Sequence, residues 1–267
     1  MKTILITGSS RGIGFGLAQE FLASGHQVFL NGRKRETLDQ ALETLADRYP
    51  RERIGGLAAD VSGYSQVVHL WDQARDRFGE VDIWINNAGV GQSQSAFWEL
   101  EPDLILELLS TNLLGAMYGS QVALDGFQRQ GWGALYNMEG LGSDGRRVEG
   151  LTLYGTTKRA LNYLTDSLAA EMEGTDIIVG AISPGMVMTD LNLERFRNRP
   201  PGEWEDARRI FNILADHVET VTPYLVQRVL ENETNGVRIQ WLTRWKVIWR
   251  FLTAPIRKRD LFADYGL

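Results

Sequence analysis

The chain has no cysteine, three histidines and seven prolines in 267 residues. Without cysteine there is no disulfide framework, no thiol nucleophile and no thiolate metal site. His26, His69 and His217 are far apart in sequence, so a histidine-rich metal centre is not expected. No run approaches the roughly 18 apolar residues of a membrane span, and the apolar run in Lys2–Thr7 is too brief for a signal sequence. Basic charge is also short. Lys and Arg number 28 against 34 Asp and Glu, a net charge of −6, which argues against a nucleic-acid partner. A single soluble, by default cytoplasmic, domain is expected, large enough to bury its core without staples. Glycine is plentiful, 28 residues in all, and such an excess asks for close backbone approaches.

Apolar runs and helical periodicities alternate along the chain. Strands are read at Ile4–Ile6, Val28–Leu30, Ile54–Ala59, Val81–Ile85, Ala134–Met138 and Ile177–Ile182. Helices are read at Gly12–Ser24, Glu36–Tyr49, Ser65–Phe78, Asp103–Arg129 and Thr156–Glu173. This alternation predicts an α/β, Rossmann-like, doubly wound fold, with a seven-stranded parallel sheet and helices on both faces. The seventh strand is expected within Gly236–Thr243. Between Met186 and about Leu230 the pattern loosens around Pro200-Pro201, with helices plausible at Leu191–Asn198 and Glu203–Leu214. Residues 185–235 therefore read as a substrate lid on a core of residues 1–184, and residues 236–267 as the last strand and a Trp-rich tail.

Parallel sheets of this kind bind ligands beyond the carboxyl ends of their strands. There the turn Thr7-Gly-Ser-Ser-Arg-Gly-Ile-Gly14 joins the first strand to the first helix. Gly8 allows the tight turn, Gly12 the approach of backbone amides to a pyrophosphate, and Gly14 close packing of helix on strand. Ser10, Arg11 and Ile13 fill the rest of the turn as candidate cofactor contacts. NAD binders place Asp or Glu at the end of the second strand, whereas here Gly32 is followed by Arg33. Arg11 and Arg33 together suit a ribose 2′-phosphate, so NADP(H) is the expected cofactor.

With these residues in view, the chain resembles the short-chain dehydrogenase/reductase family from Met1 to about Pro184. The resemblance is carried by Thr7-Gly8-x-x-x-Gly12-x-Gly14, Asp60-Val61, Asn86-Asn87-Ala88-Gly89, Asn112, Tyr154-x-x-x-Lys158 and Pro184-Gly185. It implies that Asp60 and Val61 contact the adenine end and that Asn86, Asn87, Ala88 and Gly89 line the cofactor. It implies that Pro184 and Gly185, with Val187 and Thr189 beyond them, border the nicotinamide. Asn112, Tyr154 and Lys158 are catalytic by the same resemblance, and the long helices imply a homodimer or homotetramer. Spacing supports the central pair independently. Tyr154 and Lys158 are i,i+4 on one helix face, and an ammonium beside a phenol favours the phenolate, so Tyr154 can act as acid or base.

One family position departs. The serine expected after the fifth strand falls on Gly140, in Glu139-Gly140, and the next hydroxyl is Ser143. Ser143 is expected to fold back and polarise the carbonyl, the competing role being a turn contact with Asp144. Asn137–Gly145, Tyr154–Lys158, Ser183–Leu191, Phe211–Leu214, Trp241-Leu-Thr and Lys258–Phe262 resemble the chlorophyll b reductase branch of the family. That branch reduces a formyl group to hydroxymethyl with NADPH. Its plastid members carry transit peptides, and this chain, opening at its first strand, suggests a bacterial or mature form. The leading expectation is an NADP-dependent carbonyl reductase of this kind acting on a tetrapyrrole pigment. The alternatives are a reductase of another bulky hydrophobic aldehyde or ketone, and a cofactor-binding sensor or scaffold without turnover, for which Gly140 speaks. Finally, Trp241, Trp245 and Trp249 recur every four residues among Arg244, Lys246 and Arg250. Three readings stand for this tail: core or oligomer packing, a membrane-surface helix, or a wall for a planar substrate.

Overall fold

The computed structural model describes residues 1–190, 193, 201–257 and 259–263, with residues 201–204 described by backbone alone. Seven parallel strands form one sheet in the order β3-β2-β1-β4-β5-β6-β9. They are β1 (Thr3–Ile6), β2 (Gln27–Gly32), β3 (Ile54–Ala58), β4 (Ile83–Asn86), β5 (Gly133–Met138), β6 (Ile177–Ser183) and β9 (Arg238–Gln240). Successive side chains on a strand point to opposite faces. Ile4 and Ile6 accordingly enter one apolar cluster and Leu5 the other. Burial on both faces is why these strands read as unbroken apolar runs rather than alternating ones.

On the first face lie α1 (Gly12–Ala23), α2 (Arg35–Ala46) and α8 (Val218–Leu230), contributing Leu17, Phe21, Leu38, Leu45, Val221 and Leu225. On the second face lie α3 (Tyr64–Phe78), α5 (Gly115–Gln130) and α6 (Thr152–Glu171), contributing Leu70, Trp71, Phe127 and Ala169. Two-residue strands β7 (Val187–Met188) and β8 (Asp216–His217) pair in parallel as a small second sheet beyond β6. The helix α7 (Pro201–Leu214) precedes β8, and α9 (Arg244–Thr253) follows β9.

The doubly wound architecture is as expected, and three elements differ. The helical stretch from Asp103 is not continuous. It runs as α4 (Pro102–Leu108), a π-helical turn over Leu109–Leu114, and α5. Helix α6 begins at Thr152, not Thr156, which carries Tyr154 into its first turn. The third difference is α8, a helix not foreseen inside the expected insertion because Pro223 interrupts its pattern. It is core, with Val221, Leu225, Val226 and Val229 at most 2% exposed. A Cβ on Gly16 would lie 2.3 Å from Val218 Cγ1, so glycine there lets α1 and α8 approach. The insertion therefore stops short of α8. Of its two expected helices, the second is α7, and of Leu191–Asn198 only Leu193 is among the described residues.

Candidate active site

The carboxyl ends of β1, β2 and β4 are tied together by side chains. Thr7 Oγ1 accepts hydrogen bonds from the amides of Asn87 (3.0 Å) and Ala88 (3.1 Å). The Asn87 amide returns two bonds, to the carbonyls of Thr7 and Gly8, each at 2.9 Å. Gly8 has φ +61°, and a Cβ there would meet the Ala88 backbone at 2.6 Å. A Cβ on Gly14 would meet the Asn87 amide at 2.4 Å. Gly12, at φ +58°, has nothing nearer than Thr189 Cγ2 at 3.7 Å, so the turn is open on that side and Thr189 overlooks it. Arg11, at the N-terminal cap of α1, gives no side-chain cap to its first amides, and no acidic residue occupies the first turn. An open cradle of uncapped amides, with no carboxylate in it, fits a pyrophosphate. Ser10 and Ile13 are half-buried beside it.

At the ribose end, a Cβ on Gly32 would lie 3.0 Å from Ser10 Oγ, so an acidic side chain has no room without displacing that serine. Arg11 and Arg33 are both exposed, and Arg33 stands 3.6 Å from Glu107 in a weak surface pair. Asp60 holds the Ser62 amide (2.9 Å) and hydroxyl (2.7 Å) on one carboxylate oxygen. Val61 is buried, and its Cγ2 would lie 2.7 Å from a Cβ on Gly115, the first residue of α5.

Catalytic candidates converge at the next strand end. Tyr154 opens α6, its amide donating to Gln92 Oε1 at 3.0 Å. Lys158 is 6% exposed and donates from Nζ to the Met138 carbonyl at 3.0 Å. That bond pins the ammonium 5.9 Å from the Tyr154 ring centre. A Cβ on Gly140 would lie 2.7 Å from the Tyr154 hydroxyl and 3.3 Å from Lys158 Cε, so the phenol end lies against this glycine. Ser143 is buried, and its hydroxyl donates to the Gly140 carbonyl at 2.7 Å. Asp144 pairs instead with Arg146. The loop's glycines answer to its neighbours: Gly142 has φ +100°, and a Cβ there would meet Gly155 Cα at 2.6 Å. Asn112, within the π-helical turn, spends its side chain on Val90, accepting from its amide at 2.7 Å and donating to its carbonyl at 3.0 Å. That clamp holds the Gly89–Val90 backbone, and the position a Cβ on Gly89 would take is 4.0 Å from Lys158 Nζ.

Asn86 departs from the expectation. Its amide is 4% exposed and donates to the Ala116 carbonyl, Ser120 Oγ and Asn137 Oδ1, while Trp84 Nε1 donates to its oxygen. It fastens β4 to β5 and α5 and faces the core; Asn87, Ala88 and Gly89 are the members of that motif at the cradle. Two contributors carried no sequence signal. Asn31 Oδ1 accepts from the Gly8 amide (3.2 Å), and its Nδ2 donates to the Leu57 and Ala59 carbonyls, binding three strand ends. Gln92, 2% exposed, links the Tyr154 amide to the Gly150 carbonyl.

Beyond β6, Pro184 is buried, and Gly185, at φ +74°, would place a Cβ 2.6 Å from Leu242 Cβ. Val187, 1% exposed, pairs with Asp216 in the small sheet. Asp216 is the hub of the tail. Its Oδ2 accepts from Trp241 Nε1 (2.7 Å) and Arg250 Nη2 (2.6 Å), and its Oδ1 from Arg259 Nη2 (2.9 Å). Trp241 also meets Tyr224 edge-on at 5.4 Å. Burial, with Arg250 close by, brings the Lys246 ammonium down to about 8. None of the α9 residues is buried, so the core reading fails for Trp245 and Trp249, while Ile239 is buried in the core and Trp241 packs against it. No helix of the described residues is long and apolar enough to cross a membrane, and no cluster among them could hold a metal ion.

Comparison with known proteins agrees with this geometry. The family profile described as short chain dehydrogenase matches residues 2–200. Chlorophyll(ide) b reductase NOL, chloroplastic, of Oryza sativa subsp. japonica is 36% identical over 87% of this chain and 67% of its own length. The Arabidopsis thaliana protein described as probable chlorophyll(ide) b reductase NYC1, chloroplastic, is 31% identical over 99% of this chain. The chain spans 55% of that relative's length. Among solved structures, ElxO with NADP bound superposes with a TM-score of 0.78 at 26% identity, covering 90% of this chain and 96% of that one.

Proposed function

Given that the chain belongs to the short-chain dehydrogenase/reductase family, we propose that it is an NADP(H)-dependent carbonyl reductase acting on a formyl group of a chlorophyll b-like tetrapyrrole. The observation that carries the chemistry is the convergence of the Tyr154 hydroxyl, Lys158 and the Gly140 backbone at one strand end. The pigment is supported by two relatives described as chlorophyll(ide) b reductases, whose similarity extends over most of this chain.

In this reading NADPH, when bound, would supply the hydride that reduces the carbonyl carbon. Tyr154 gives its phenolic proton to the carbonyl oxygen. Lys158, held by Met138, fixes the charge beside that phenol. Ser143 turns its hydroxyl from the Gly140 carbonyl toward the substrate oxygen as a second donor. Asn112 keeps the Gly89–Val90 backbone against the cofactor. Gly8, Ser10, Arg11, Gly12, Ile13 and Gly14 would cradle the pyrophosphate, Asp60 and Val61 would flank the adenine, and Pro184, Gly185, Val187 and Thr189 would border the nicotinamide.

The 2′-phosphate is assigned to Arg11 and Arg33. The double variant Arg11→Ala/Arg33→Ala is expected to lose about tenfold or more in NADPH affinity, with NADH affinity little changed. Titration by intrinsic fluorescence checks this, and an equal loss for both cofactors would remove the assignment.

A homodimer through α4–α6 is part of the same reading, since Leu106, Leu114, Met117 and Tyr163 leave apolar surface there. A large apolar substrate resides in lipid, so peripheral membrane contact belongs to it too. The substrate is tested by an anaerobic absorbance scan of enzyme, NADPH and detergent-solubilised chlorophyll b. A Soret shift toward the hydroxymethyl product is expected. A protein that binds NADPH but leaves the spectrum unchanged, while reducing another bulky aldehyde or ketone, keeps the carbonyl reductase and loses the pigment. One that binds NADPH and turns over no carbonyl is a cofactor-binding scaffold.

A further inference from the structure

Helix α9 is amphipathic in the inverted sense. A helix on a globular surface normally turns its apolar stripe inward. Here Lys246, Val247 and Arg250 face the protein and are partly covered. Arg250 reaches Asp216 and the Leu214 carbonyl, and Lys246 lies over the Trp241 ring. The outward stripe, continued past the helix end, is Trp245, Ile248, Trp249, Leu252 and Ile256, at i, i+3, i+4, i+7 and i+11. Their exposures are 80%, 49%, 48%, 73% and 86%. Large apolar side chains gathered on one face mark a contact surface rather than scattered surface residues.

Charge selects what covers it. From Arg238 to Arg259 the sequence carries seven Lys and Arg and no Asp or Glu, in a chain whose net charge is −6; Arg238 is spent on Glu139 and Asp166, and Arg250 and Arg259 on Asp216. Two cations stand at the stripe itself: Arg244 starts the helix, and the Arg257 guanidinium lies 4.7 Å above the Trp249 ring. A second copy docking here would bring two such basic patches together, which is repulsive. An anionic lipid surface accepts both features, indoles at headgroup depth and cations against the phosphates. We propose that α9 seats the protein on an anionic lipid bilayer. The helix follows Leu242, whose side chain packs at Gly185, so the seated face adjoins the expected nicotinamide end. The remaining acidic surface is repelled by the same bilayer, and this fixes the orientation.

This deepens the reading of a lipid-borne substrate, and it is tested without substrate or cofactor. Full-length protein is floated with phosphatidylcholine vesicles containing phosphatidylglycerol, and with phosphatidylcholine alone. Binding to the anionic vesicles is expected, weakened by added salt, with tryptophan emission quenched by lipids brominated near the headgroup. Trp245→Ser/Leu252→Ser removes two exposed side chains and should lower vesicle partitioning about tenfold or more, with unchanged melting temperature and NADPH affinity. Absence of anionic-vesicle binding, or a double variant that binds as well as the parent, overturns the proposal. So does a variant whose only change is its oligomeric mass by light scattering, which makes the stripe a contact between copies. Failure to reduce chlorophyll b in detergent leaves vesicle binding standing, and failure to bind vesicles leaves that turnover standing.

Discussion

Tyr154→Phe is expected to lower kcat by about 10²–10⁴ while NADPH affinity changes little. The substitution keeps the ring and leaves the Tyr154 amide on Gln92. What is lost is the hydroxyl, and with it the transferable proton. Lys158 stays in place because its anchor is the Met138 carbonyl rather than the phenol. The lost rate therefore reports the acid and not a disturbed cradle. Stopped-flow oxidation of NADPH with saturating substrate measures it, and a variant with near-parental kcat would transfer the proton elsewhere. Ser143→Ala is the companion measurement. Its hydroxyl starts from a 2.7 Å bond to the Gly140 carbonyl, so the swing toward substrate gives up one hydrogen bond to make another. A loss of about tenfold, the net worth of one such bond, is expected. An unchanged kcat would restrict Ser143 to shaping the loop.

What the sequence made legible follows from how local each cause is. The glycine turn and the i,i+4 spacing of Tyr154 and Lys158 are fixed by neighbours in the chain, and they land as read. The parallel strands are equally plain, because burial on both faces leaves continuous apolar runs such as Ile4-Leu5-Ile6. Helix α8 hides because Pro223 breaks the pattern inside it, while packing on α1 overrides the propensity. Asn86 and Asn87 stand side by side, and only their alternation across the end of β4 sends one amide into the core and the other to Gly8. Asn31, Gln92 and Asp216 act through partners 23 to 62 residues away, at contacts no local pattern encodes. The three tryptophans are the sharpest example. Spacing of four puts Trp245 and Trp249 on one face but cannot say which way that face looks, and the direction is set by Arg250 reaching Asp216.

That reach makes Asp216 the residue whose loss should cost most in stability. Its carboxylate is 4% exposed and faces Arg250, itself 11% exposed, on one oxygen and Arg259 on the other. The two guanidiniums also hold the carbonyls of Leu214 and Ala215, so they cannot leave without breaking further bonds. Asp216→Asn is nearly isosteric, removes the charge and turns one of the two accepting oxygens into a donor that faces N–H groups. It leaves the nearly buried Arg250 and the partly exposed Arg259 without their counter-charge, and breaking a buried pair typically costs about 3–5 kcal/mol. In a chain this long that is on the order of a 10 °C fall in melting temperature. The damage should not stay in the tail. The Asp216 amide donates to the Met186 carbonyl, and β8 pairs with Val187–Met188, the strand next to the expected nicotinamide border. Weaker NADPH binding should therefore accompany the lower melting temperature, and limited proteolysis should cut first between β9 and the C-terminus. A melting temperature within about 2 °C of the parent would show that the arginines find other partners. An unchanged affinity for NADPH beside a large fall in stability would uncouple the tail from the cofactor, leaving the hub as a fastening for α9 alone.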